Sequence, residues 1–145
     1  MTTNGENQNG AVHDNRDWFL QSLVDLVNGR EIEIGLTLQA GGFLVSGLLV
    51  SGHQYFKGFG AEFARTFDDP ELTEDIQKAY ARWGGIYTVP KSPSDTFTKV
   101  NFIHLKNARF FNTAGEPVPA NMSVWWRGRV SEVDGFFLGM LSEKS

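Results

Sequence analysis

A β-rich α+β fold follows from three observations about where apolar residues fall along this chain. Segments with two-residue alternation occupy both ends of the sequence, as strands with one buried face require. Between His53 and Trp83 the apolar spacing lengthens to that of a helix. Two glycine turns, Gly41-Gly42 and Asp134-Gly135, interrupt apolar runs at places where positive φ suits a tight reversal.

The 145 residues fit a single globular domain over 14–145, with a flexible tail of Asn, Gly, Thr, Gln and Glu at 1–13. Hydrophobic residues make up 41%, with 12 Phe and 4 Trp, which is enough to build a core. No cysteine is present, so disulfides and thiolate metal sites are excluded. Residues 1–52 carry 2 basic against 6 acidic side chains, and residues 99–145 carry 6 against 4. An acidic front and a mildly basic back make nucleic acid an improbable partner and permit head-to-tail self-attraction. No basic–apolar leader and no run of about 20 apolar residues occurs, so no targeting segment or membrane insertion is expected.

The first element is a helix. Asp14 or Asn15 can cap it, and Phe19, Leu20, Leu23, Leu26 and Val27 form its stripe. Gly29 stands where a C-cap belongs. Ile32, Ile34, Leu36 and Leu38 then alternate with polar or small residues as a half-buried strand, and Phe43 to Ser51 returns across Gly41-Gly42 as its hairpin partner. A helical insertion follows at about 53–85. Phe56, Phe59, Phe63 and Phe67 share one face, expected to pack on the sheet. Asp68-Asp69-Pro70 breaks that helix and starts another, with Asp69 as cap and Leu72, Ile76, Ala79, Tyr80 and Trp83 as its apolar side. Residues 86–98 read as a Pro/Ser/Thr loop, before strand character resumes from Lys99.

The last stretch, Asn121 to Ser142, is the densest apolar region. Met122, Val124, Trp126, Gly128 and Val130 share one face of an extended chain, and Ser123, Trp125, Arg127 and Arg129 share the other. Asp134-Gly135 would turn it into a C-terminal hairpin. Five short antiparallel strands led by a helix suggest a small SH3-like or Sm-like barrel, and the alternative is an open antiparallel sheet with its helices on one face.

No catalytic pattern stands out, and the chain is expected not to be an enzyme. His13, His53 and His104 lack metal-ligand spacing, and no nucleophile elbow or phosphate loop occurs. His104 would need an orienting carboxylate to act as a base. Glu132 and Asp134 are the candidates. Without one, His104 is a structural histidine. The run Trp125-Trp126-Arg127-Gly128-Arg129 mixes rings and cations, as single-strand binders and protein hot spots both do. The acidic total favours a protein partner met through Trp125, Arg127 and Arg129, with an Sm-like RNA-binding module as the rival.

NFIHLKNARFF and VWWRGRVSEVDGFFLGMLS resemble the C-terminal half of the gas vesicle accessory protein GvpU family, over residues 101–142. Residues 34–56 echo the family more loosely, and 57–98 match poorly. The shared positions are Phe102, His104, Lys106, Asn107, Trp126, Arg127, Gly128, Glu132, Asp134, Gly135, Phe136, Phe137 and Gly139. The resemblance implies a cytoplasmic, gas-vesicle-associated, non-enzymatic protein without a cofactor. Its implied role is to assist assembly or clustering of these gas-filled shells. Its implied partners are shell protein, other gas vesicle accessory proteins and copies of itself.

Overall fold

The computed structural model describes residues 15–87, 101–119 and 122–142. Their order is α1 (Trp18–Arg30), β1 (Ile34–Ala40), β2 (Phe43–Val50), α2 (Gly52–Ala64), α3 (Pro70–Trp83), β3 (Phe102–Phe111), β4 (Val124–Arg129) and β5 (Gly135–Leu138). Short 3₁₀ turns follow α3 and β4. The expected tail at 1–13 and residues 88–98 of the expected loop lie outside the described residues, as does the capping role considered for Asp14. Ile86 and Tyr87, placed in that loop, instead belong to the 3₁₀ turn Gly84–Tyr87, with Tyr87 buried.

Helix α1 begins one turn later than the composition suggests. The Asp17 side chain accepts from the Phe19 N–H at 3.0 Å, capping the first turn. Its C-cap is Glu31, in the left-handed region at φ 54°, instead of Gly29. A tertiary partner explains the choice, because the Glu31 carboxylate accepts from Ser51 Oγ at 2.9 Å. That same Ser51 oxygen caps α2 by accepting from the Gln54 N–H at 3.0 Å. Asn28, buried beside it, accepts from the Gly52 N–H at 2.8 Å. The end of α1 and the start of α2 are thus one polar joint.

The sheet is antiparallel, ordered β4-β3-β2-β1-β5. Leu36, Leu38, Val45, Leu49, Ile103 and Leu105 form the buried core with Leu20, Val24 and Val27 of α1. Burying each such side chain contributes ~1.5–3 kcal/mol. Asn107, at φ 54°, marks a bulge where the β3 register slips against both neighbours.

The expected C-terminal hairpin does not form. β4 pairs with β3 and β5 pairs with β1, so the two strands flank opposite edges of the sheet. Instead of turning at Asp134-Gly135, the chain coils at Val130–Glu132 and crosses over, and the Asp134 N–H donates to the Gln39 carbonyl at 2.8 Å. So short a connection between edges requires a curled sheet, since a flat one would separate them by about four strand spacings of ~4.8 Å. The sheet is nevertheless open. Among the described residues no β4–β5 ladder closes the SH3-like or Sm-like barrel.

Nor do the helices share one face. Directly paired residues point to the same side of a sheet. Phe136, in the row of Leu38 and Val45, meets Phe19 of α1, with ring centres 5.4 Å apart. His104, in the row of Val50 and Arg127, meets Tyr55 of α2 at 4.7 Å on the opposite side. The α2 start, tied at Ser51 and Asn28, carries that helix around the end of the sheet.

Candidate functional site

Strand alternation places Trp125, Arg127 and Arg129 on the α2 side of β4, and Trp126 with Gly128 on the core side. The Trp126 ring lies over Gly128, where an added Cβ would come within 2.3 Å of it. On the other side the Trp125 ring presses on Gly58 of α2, where an added Cβ would approach to 2.1 Å. Trp125 also meets the Tyr55 ring edge-on at 5.9 Å. It is half-buried packing between strand and helix, so the free stacking face a single-strand binder would offer is already in use.

Arg127 is exposed yet held on three sides. Its guanidinium sits 3.6 Å from the centre of the Phe102 ring and 5.6 Å from that of Phe56, within cation–π range. Its Nε donates to His104 Nε2 at 3.2 Å. An accepting Nε2 means that the imidazole is neutral, with its proton on Nδ1. His104 is 1% exposed, and its pKa is pushed down to about 3, chiefly by burial and secondarily by the Arg127 charge. The rings of Tyr55, Phe56 and Tyr87 surround it. Its charged partner is a cation, and neither Glu132 nor Asp134 orients it, so the acid–base arrangement considered from sequence is not formed. Its chemistry is positional: it fixes the direction of Arg127.

Arg129, next along β4, is exposed. Lys106 reaches Glu33 at 3.5 Å. The remaining shared positions are largely architectural. Glu132 lies in the 3₁₀ turn, Gly135 opens β5, and Gly139 has φ 106° with its carbonyl accepting from Thr37 Oγ1 at 2.9 Å. Thr37 Oγ1 lies 3.1 Å from Ser46 Oγ, which accepts from the Leu141 N–H at 2.7 Å. This buried hydroxyl pair straps the C-terminal segment across the sheet.

Sequence reasoning missed Tyr55, Tyr87 and the paired glycines Gly58 and Gly60. An added Cβ at Gly60 would stand 2.7 Å from Tyr80 of α3. The available signal was two glycines placed inside an aromatic helical pattern, where close approach is the usual reason. The Phe stripe also has another destination. Phe59 and Phe63 meet Tyr80 at 5.7 Å each, so α2 and α3 zip together and only the Phe56 end reaches the core.

An open depression of about 290 Å³ lies between Thr37, Gln39, Leu44, Gly135, Phe136 and Phe137. Among the described residues there is no cluster of His, Cys, Asp or Glu suited to a metal ion. Among those residues, too, no helix is long and apolar enough to cross a membrane.

Fold and site together define an open-sheet α+β protein whose outstanding surface feature is a fixed cation among aromatic rings. Residues 17–141 match the model of a family described as gas vesicle protein GvpU-like, and the chain belongs to that family. Membership points to a gas vesicle accessory protein. The match spans α2 and α3, which the sequence resemblance left aside. No curated protein and no solved structure matches the chain.

Proposed function

We propose that this protein assists assembly or clustering of gas vesicles by binding shell protein or other accessory proteins and by associating with itself, in the cytoplasm. Family membership over residues 17–141 carries the reading. The β4 surface supports a charge-assisted contact. Phe102 and His104 hold Arg127 in one orientation, so little side-chain freedom is lost when a carboxylate meets it. Arg129 extends the cationic strip, and screening weakens such contacts as salt rises.

Flotation of the full chain with intact, buoyant gas vesicles tests this. The protein should rise with the vesicles at low salt, and Arg127→Ala/Arg129→Ala should remain behind. Flotation of the double variant at wild-type levels would remove β4 from the contact. Failure of the wild type to float would exclude direct shell binding and leave an accessory partner or self-association.

A further inference from the structure

Among the described residues the sheet has two open edges, and their chemistry differs. The Val130 N–H donates to the Asn101 carbonyl at 2.9 Å, which sets the phase of the β3–β4 ladder. Alternation then turns the backbone polar groups of Arg127 and Arg129 outward. That edge carries two cations, a feature that discourages strand addition. At the other edge the Gly139 N–H donates to the Gly35 carbonyl at 2.9 Å. Residues 135, 137 and 139 therefore face β1, and the N–H and C=O groups of Phe136 and Leu138 face outward. The strand Gly-Phe-Phe-Leu carries no charge.

Exposed apolar side chains gather at the same edge. Leu138 is 66% exposed, Phe137 48%, Phe19 53% and Trp18 80%. Ring contacts link Trp18 to Phe19 and Phe19 to Phe136 on the α1 face, the face Leu138 shares by alternation, while Phe137 points to the other. β5 is short, with four residues, yet its edge carries no charge and stands beside exposed apolar side chains, which leaves it able to pair with another strand.

We propose that β5 is the self-association surface, pairing antiparallel with β5 of a second copy about a two-fold axis through Phe137. The inference rests on the self-association reading above. In this register Phe136 of each copy stands opposite Leu138 of the other, and both residues' outward N–H and C=O groups find partners. Two-fold symmetry makes the match reciprocal. Charge selects this edge over its rival: β4 against β4 would set arginines face to face, whereas β5 against β5 opposes no like charges. The sheet becomes continuous across both copies, and α1 of each lies on the same face with Trp18 and Phe19 beside the axis.

The chain lacks cysteine, which permits a clean test with full-length protein. Phe137 would face its own copy as a non-hydrogen-bonded pair with Cα atoms ~4.5 Å apart, inside the disulfide range of ~4.4–6.8 Å. Phe137→Cys should convert to a covalent dimer under mild oxidation, far faster than Gln77→Cys on α3. Leu138→Lys, an exposed change checked by circular dichroism, should shift the sedimentation mass from dimer to monomer. A wild type that stays monomeric across a concentration series would overturn both the edge assignment and self-association. A wild type that associates while Phe137→Cys cross-links no faster than Gln77→Cys would overturn the edge alone. Should Leu138→Lys disturb folding, the cross-linking comparison decides.

Discussion

Helices α1 and α3 both carry apolar stripes, and the two stripes meet different fates. Leu20, Val24 and Val27 of α1 are at most 1% exposed, sealed against the sheet. α3 has the sharper division between apolar and polar sides, yet none of its residues is buried. Among the described residues it rests chiefly on α2, through Tyr80 against Phe59 and Phe63 and Trp83 against Phe56. Amphipathic spacing says which side of a helix meets protein. How deep that side lies depends on the size and shape of what it meets. A sheet covered by a helix excludes water, whereas one helix laid on another leaves both flanks wet.

Substitutions should grade with the division between the sealed α1–sheet core and the open α2–α3 helical hairpin. Leu105→Ala, in the central strand, should cost ~2–5 kcal/mol in urea unfolding, because it removes buried methyl groups and leaves a cavity. Tyr80→Ala, in the hairpin, should cost less, ~1–2 kcal/mol, since the ring it removes is half-exposed. Leu72→Ala, on the outer part of α3, should stay within ~0.5 kcal/mol. Equal losses at Leu105 and Tyr80 would mean that the two regions share one core. Native-state hydrogen exchange sharpens the same contrast: α3 amides should exchange through partial opening while β2 and β3 exchange only on global unfolding.

His104 joins the two regions, and its titration reports on the seam between α2 and the sheet. Its folded pKa of about 3 lies below the ordinary value of 6.5. Between these values the unfolded chain binds the extra proton, so stability is complete above pH 6.5 and falls as pH drops toward 3. The slope is at most about 1.4 kcal/mol per pH unit from this one group. His104→Phe should flatten that part of the profile, read as unfolding free energy between pH 6 and pH 4. An unchanged profile would mean that the imidazole is not sealed under α2. A smaller effect belongs to Arg127→Lys. Loss of the planar stack on Phe102 should cost ~0.5–1 kcal/mol and alter near-ultraviolet circular dichroism.

Much of the fold was legible in residue order. The strands at 34–40 and 43–50 and the Asp69 cap with Pro70 each follow from local rules that packing did not override. Gly41 and Gly42 take positive φ as the turn reading requires. Asp134-Gly135 misled, because turn chemistry states that a chain can reverse there, not that its flanking strands pair. The candidate surface was half legible. Alternation put Trp125, Arg127 and Arg129 on one side, but nothing local said that Gly58 would receive the Trp125 ring or that His104 would stand beneath Arg127.

Residue order alone thus determined the elements, their buried faces, and, through two distinctive strings near the C-terminus, the family. Those properties depend on neighbours within a few positions, where spacing fixes direction. Tertiary structure decided that no β4–β5 ladder forms among the described residues, that α1 and α2 take opposite faces, that the Phe stripe grips α3, and that β5 lies at an apolar edge of the sheet beside Phe19. Each of these depends on contacts between residues far apart in sequence, such as Phe19 with Phe136 and Gly58 with Trp125, and local spacing carries no information about which distant surfaces meet.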